Sequence, residues 1–235
     1  MLKRNIIHIW HTKLECHKEK YSLFHNWLSP EEKAHAGKLA IPYRRRFIIS
    51  RGILRDLLAY YSEQYPKQLC LDYTCAGKPF LISSPKQAIE FNLSHSQDTV
   101  AYAFTTDNPI GIDIEHKIQR KHLDKIAYRF FSACDYDRLK LLSGEEKLRV
   151  FFNTWVRNEA LLKAFGERLQ THPFSHYKFS IDTKSISIEN IKRKKNQPCC
   201  ISNLFLYPDF AGAVVISGNS KPIIIKKYTK KISLS

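Results

Sequence analysis

The chain has 235 residues, 43% hydrophobic and 26% charged, enough for one large domain or two small ones with a real core. Lysine and arginine number 38 against 22 acids, a net charge of +16, which points to an acidic partner: nucleic acid, an anionic surface, a phosphorylated ligand or an acidic protein. No run approaches the roughly 20 apolar residues of a membrane span. The stretch from Asn5 to His11 is too short and polar for a signal core, and six cysteines without Cys-x-x-Cys spacing argue against structural zinc and for reduced thiols in the cytoplasm.

Residues 5–10 read as a first strand. Ser29-Pro30-Glu31-Glu32 reads as a helix start, with Ser as N-cap, Pro at the first position and acids in the first turn. Apolar residues at 47, 48, 54, 57, 58 and 61 then recur at helical spacing. They predict a long amphipathic helix ending near Tyr61, with Arg44-Arg45-Arg46 at its start and Arg51 and Arg55 as one basic stripe. In the turn at 73–80, Gly77 permits unusual backbone, Pro79 stiffens the exit, and Lys78 is presented between them as a point charge for phosphate.

Phe91-Asn92-Leu93-Ser94-His95-Ser96 begins as a strand and ends in a polar loop, offering a hydroxyl and an imidazole for phosphate binding or proton transfer. No Gly-x-Ser-x-Gly elbow is present, which disfavours a Ser-His hydrolase. Strands at 99–104 and 111–115 flank a turn at Asp107-Asn108-Pro109. Helices are predicted at 121–131, 135–143 and 145–166, then alternating strands at 178–181, 185–188, 201–207, 211–217 and 222–228. Helix plus antiparallel strands, given twice, predicts an α+β fold of two halves, residues 1–108 and 109–235.

Two short segments carry the sharpest chemistry. In Gly111-Ile112-Asp113-Ile114-Glu115 the two carboxylates lie on one face of a strand. They repel each other, and a divalent cation resolves that. In Trp155-Val156-Arg157-Asn158-Glu159-Ala160-Leu161-Leu162-Lys163, Glu159 and Lys163 share a helix face. Brought together, the segments supply three carboxylates and an ammonium, a place for a divalent cation and a phosphate. Separately, each is better explained as ordinary surface: an acidic strand face meeting solvent or arginines, and a solvated helix pair.

The order of these signals resembles the Sfp-type 4′-phosphopantetheinyl transferases over about residues 29 to 170. The resemblance rests on Ser29-Pro30-Glu31-Glu32-Lys33, Arg46 to Arg55, Gly77-Lys78-Pro79, Phe91 to Ser96, Gly111 to Glu115, and Trp155 with Glu159-Ala160 and Lys163. It implies two similar halves about a pseudo-twofold axis, with coenzyme A in the cleft between them. It also implies transfer of the 4′-phosphopantetheine arm of coenzyme A to a serine of an apo carrier protein, releasing adenosine 3′,5′-bisphosphate, as in holo-[acyl-carrier-protein] synthases.

By the same resemblance Asp113, Glu115 and Glu159 ligate Mg²⁺, with Mn²⁺ as a substitute, and Glu159 takes the serine proton. Lys163 contacts the pyrophosphate. Lys78, Ser94 and His95 contact coenzyme A, with Arg46 and Arg51 as further anion contacts. The segment after Lys163, with Phe165, Leu169 and Phe174, helps to form the surface for an acidic acyl or peptidyl carrier; no nucleic acid, membrane or second copy is implied.

Departures from the family pattern are Asn158, where lysine usually precedes the glutamate, and Glu32 and His35, where relatives often carry bases for the 3′-phosphate. Lys33, Lys38 or residues 44–46 are candidate substitutes. The C-terminal stretch beyond about 175 is longer and more basic than the matched region requires. A basic nucleic-acid binder stands as the alternative, without an RNP, zinc-finger or helix-turn-helix signature, and a degenerate, inactive transferase as a third reading. The pathway of the carrier stays open: fatty-acid, polyketide, nonribosomal-peptide or lysine.

Overall fold

The computed structural model describes residues 2–82, 88–119, 121–167, 177–182, 185–190 and 195–229, with backbone alone for 177–182, 185–190 and 195–197. Its α+β fold is built on two main sheets. Strands β1 (Ile7–Lys13), β4 (Ile89–Ser96), β5 (Thr99–Thr106) and β11 (Ile223–Lys227) form the first, in the order β11-β1-β5-β4. Strands β6 (Ile110–His116), β7 (Tyr177–Asp182), β8 (Ser185–Asn190), β9 (Lys195–Asn203) and β10 (Phe210–Ser217) form the second, in the order β6-β10-β9-β8-β7. A small hairpin pairs β2 (Leu71–Tyr73) with β3 (Pro79–Leu81).

Helices α1 (Tyr21–Trp27), α2 (Pro30–Gly37) and α3 (Ile41–Ser62) accompany the first sheet. Ser29 caps α2: its hydroxyl accepts from the Glu32 N–H, and the Glu32 carboxylate accepts from the Ser29 N–H. Ile48, Ile49, Ile53, Leu54, Leu57, Leu58 and Tyr61 of α3 bury their face among Phe24, Phe91, Tyr102 and Phe104. At the other end of the chain, α4 (Leu123–Phe130), α5 (Ala133–Lys140) and α6 (Gly144–Phe165) build a second core, where Phe151, Phe152, Val156 and Leu161 of α6 meet Ala213 and Val215 of β10. Gly166 ends α6 in the left-handed region, at φ 66°. Among the described residues, no helix is long and apolar enough to cross a membrane.

Several elements differ from expectation. Residues 14–27 carry a 3₁₀ turn (Leu14–Lys20) and α1, neither anticipated. The strand expected at 201–207 instead ends at Asn203, because the chain turns there: the Leu204 N–H donates to the Gly212 carbonyl and the Phe210 N–H to the Tyr207 carbonyl. The last strand, β11, joins the opposite end of the chain and pairs in parallel with β1, Ile7 to Ile223 through His11 to Lys227. Tyr228 anchors it, its hydroxyl donating to Asp56 on α3.

The expected basic stripe is a buried ion-pair network instead. Arg55, 1% exposed, pairs with Glu32 at 2.7 Å and donates to the carbonyls of Pro66 and Leu69; Arg51 meets the same carboxylate at 3.4 Å. An unpaired charge at this depth would be costly, so the arginines and the acid hold each other in place.

A second buried network sets a pH dependence. The indole N–H of Trp10 donates to the Tyr61 hydroxyl, which also shares a hydrogen bond with His8 Nδ1, both at 2.7 Å. Burial, then the Lys226 charge, push the His8 pKa down to about 4 from 6.5, so the ring is neutral near pH 7. Below about 6.5 the unfolded chain takes a proton that the folded one refuses until about pH 4, so stability falls through that window. Urea denaturation at stepped pH should show this fall in the wild type and a shallower one in His8→Phe; equal slopes in both proteins would refute it.

Candidate active site

The edge strands of the two sheets, β4 and β6, lie side by side, and side chains join them. Asn92, Ser94 and Ser96 alternate along β4. The Asn92 Oδ1 accepts from the Ile112 N–H at 2.9 Å, Ser94 Oγ from the Ile114 N–H at 3.3 Å, and Ser96 Oγ from the His116 N–H at 3.1 Å. Three alternate N–H groups of β6, from Ile112 to His116, therefore find side-chain oxygens of β4, and these edge donors are satisfied across the seam.

Helix α6 crosses β6 at Gly111. A methyl group there would lie 2.0 Å from the Ala160 carbonyl oxygen and 2.4 Å from the Ala164 nitrogen. That contact places Glu159 and Lys163 over the carboxylates of β6. Lys163 Nζ lies 2.6 Å from Asp113 Oδ1 and donates to Ser94 Oγ at 3.1 Å. Ser94 Oγ in turn donates to Asp113 Oδ1 at 2.7 Å. The two distant segments thus form one cluster.

Asp113, Glu115, Glu159 and Lys163 line a cleft of about 500 Å³ together with Arg51, Gly77, Lys78, Ser94, His95 and Trp155. A neighbouring cavity of about 600 Å³ shares Arg51, Leu93 and His95 and adds His35, Tyr43, Arg46, Phe47 and Gln97. Every residue that the resemblance assigns to the metal, the pyrophosphate or coenzyme A lines one or other cavity, whereas of the candidate substitutes Lys33, Lys38 and residues 44–46 only Arg46 does.

Their roles in the free protein are less uniform. Gly77 makes its turn at φ 80°, and the Lys78 ammonium donates to the carbonyls of Ile110 at 2.9 Å and Ala164 at 3.4 Å. It thereby ties the turn to β6 and the end of α6, and burial lowers its pKa. Ser94 is buried against Asp113. His95 stands on the wall between the cavities, its pKa lowered first by desolvation and then by the Lys163 charge. Arg51 stacks over the rings of Phe47 and Tyr73, 5.5 and 5.6 Å from their centroids.

The departures also find places. Glu32 is occupied by Arg51 and Arg55, and Arg44 caps α2 by donating to the carbonyls of Ala36, Gly37 and Leu39. Neither is a free group for a ligand, whereas His35, packed on Phe47, and Arg46 face the second cavity. Asn158, 3% exposed, is buried and not among the cleft-lining residues. Phe165 packs on the second core, and Leu169 and Phe174 lie outside the described residues.

The donor set suits a hard divalent cation. Asp113 Oδ2 is buried without a hydrogen-bond partner among the described residues. Burial, then the charge of Asp113 and, after the opposing pull of Lys163, that of Glu115, act on Glu159 to raise its pKa. Oxygen donors that repel one another are what such a cation neutralises. Among the described residues no three acidic, histidine or cysteine side chains already converge on one point, and Lys163 sits at Asp113 in the meantime.

Sequence reasoning missed Asn92, Ser96 and Gly111 as parts of the site. Their signal was the alternation of short polar residues on β4 and the glycine opening an apolar strand.

Two family models cover nearly the whole chain: the 4′-phosphopantetheinyl transferase superfamily over residues 109–215 and the N-terminal 4′-phosphopantetheinyl transferase family over residues 12–107. The chain is 37% identical over 163 residues to the 4′-phosphopantetheinyl transferase HetI of Nostoc sp., covering 68% of this chain and 69% of that protein. It is 29% identical over 203 residues to the 4′-phosphopantetheinyl transferase Sfp of Bacillus subtilis, covering 84% and 85%.

Proposed function

The chain belongs to the 4′-phosphopantetheinyl transferase superfamily, and from that premise we propose that it moves the 4′-phosphopantetheine arm of coenzyme A to a serine of an acidic apo carrier protein. The observation that carries the reading is the convergence of Asp113, Glu115, Glu159 and Lys163 in one cleft beside a cavity lined by Arg46 and His95. A pyrophosphate needs positive charge at its oxygens, and the adjoining cavity offers room for the nucleotide beyond it.

In this reading Asp113, Glu115 and Glu159 hold Mg²⁺, with Mn²⁺ able to replace it. When bound, the ion supplies charge neutralisation at the pyrophosphate oxygens. Lys163 leaves Asp113 for the pyrophosphate and steadies the leaving side. Arg46 and Arg51 face the anionic end of coenzyme A, with His35 and His95 on the same walls. Lys78 holds the cleft wall through two carbonyls and keeps a further N–H for phosphate.

The carrier serine oxygen attacks the β-phosphorus, and its proton passes to Glu159, directly or through water. The bond from the β-phosphorus to the bridging oxygen breaks, and adenosine 3′,5′-bisphosphate leaves with the electron pair. The protein's work is positioning and charge stabilisation. Net charge of +16 steers an acidic carrier toward it, in a salt-sensitive manner, and the enzyme acts as a cytoplasmic monomer.

Incubation with coenzyme A, Mg²⁺ and a panel of apo carriers should add one phosphopantetheine mass to at least one carrier. Chelation of the divalent cation should stop that gain and excess Mg²⁺ restore it. Salt-dependent nucleic-acid binding with no coenzyme A binding and no mass gain would favour the nucleic-acid reading instead.

A further inference from the structure

The seam between β4 and β6 does more than join two sheet edges. At two successive rungs one serine hydroxyl serves both the backbone and a carboxylate. Ser94 Oγ accepts from the Ile114 N–H and donates to Asp113 Oδ1; Ser96 Oγ accepts from the His116 N–H at 3.1 Å and donates to Glu115 Oε2 at 2.9 Å. In each case the accepted N–H belongs to the residue directly after the carboxylate. Accepting the backbone N–H occupies a lone pair and leaves the hydroxyl's single proton for the carboxylate.

We infer that Ser96 is a positioning residue for the transfer reaction, holding Glu115 in the rotamer that addresses the cation. The inference rests on the transferase reading above. Ser96 is 9% exposed and sits on a strand, so its own direction is set by the pleat and by β5 on its other side. Glu115 is only half-buried near the end of β6, and the Ser96 hydroxyl is a fixed donor to one of its carboxylate oxygens. A hydroxyl pinned by a backbone N–H narrows the rotamers open to that glutamate. Ser94 does the same for Asp113 but also receives Lys163, so Ser96 is the rung where the positioning effect is separable from the phosphate-facing lysine.

The chemistry specifies the substitution. Alanine removes donor and acceptor together, whereas threonine keeps the hydroxyl on a β-branched residue that strands favour. Loss of a group that orients a metal-binding carboxylate weakens metal affinity by about 10–100-fold.

The test uses the full chain with coenzyme A present and reads Mn²⁺ binding directly by electron paramagnetic resonance, beside the rate of arm transfer. Ser96→Ala should weaken Mn²⁺ binding by about 10–100-fold and raise the Mn²⁺ concentration for half-maximal transfer in parallel. Its KM for coenzyme A should change less than threefold, and Ser96→Thr should restore Mn²⁺ affinity to within about threefold of the wild type. A Ser96→Ala protein that binds Mn²⁺ like the wild type overturns the inference, as does a Ser96→Thr protein as defective as the alanine variant. A wild type that neither binds Mn²⁺ nor transfers the arm overturns the transferase reading itself, and this inference with it.

Discussion

Alanine at position 111 is expected to disable arm transfer by at least about 100-fold while the same change at Gly37 leaves it untouched. Nothing lies within 4 Å of a methyl group at position 37, the last residue of α2. At position 111 the obstacles are the Ala160 oxygen at 2.0 Å and the nitrogen and Cα of Ala164 at 2.4 and 3.0 Å. All three are backbone, so no rotamer change relieves them; α6 must retreat. Its retreat carries Glu159 and Lys163 away from Asp113, and a displacement of about 1 Å at a reacting centre is enough to cost about 100-fold. Overpacking at such a contact costs about 1–3 kcal/mol, so the urea midpoint should fall as well. Wild-type transfer and stability in Gly111→Ala would show that the helix approach does not build the site.

Asp113→Ala is expected to lower transfer by about 100–1,000-fold without unfolding the protein. Asp113 is the point on which the cluster closes, accepting from both Lys163 and Ser94. Its loss leaves the ammonium and the hydroxyl without their shared acceptor, which is destabilising. Lys163 keeps 30% of its side chain exposed, so water takes up part of that loss. Removal of one of three neighbouring negative charges also relieves Glu159. Asp113→Asn, which keeps the shape and drops the charge, should fail equally in transfer with a near-native urea midpoint. Retained mass gain on the carrier in either variant would remove Asp113 from the metal site.

Much of this protein was legible from residue order alone. Helical spacing marked α3 and α6, the pattern Ser29 to Glu32 marked the start of α2, and alternation with turn residues marked β5, β6 and β10. Those signals are local, because periodicity and capping involve neighbours a few residues apart. The acid pair of β6 and the Glu159–Lys163 pair of α6 were visible in the same way, each by itself better explained as plain surface.

Tertiary structure decided what those local signals meant. Arg51 and Arg55 share a helix face as their spacing requires, yet that face meets the buried Glu32, because spacing defines a face without saying what covers it. β11 belongs beside β1 and not beside the strands that precede it, because strand pairing is a long-range contact that alternation cannot specify. Asn92 and Ser96 look like ordinary polar residues of a strand end until β6 lies beside them and its N–H groups need acceptors.

The residue types, the two chemical segments and the helices that carry them were determined by the sequence by itself. Only the packed chain decided that the segments meet, through the backbone contact that Gly111 permits. Side-chain direction within an element follows from local geometry, whereas the distance between two elements follows from how closely their backbones pack.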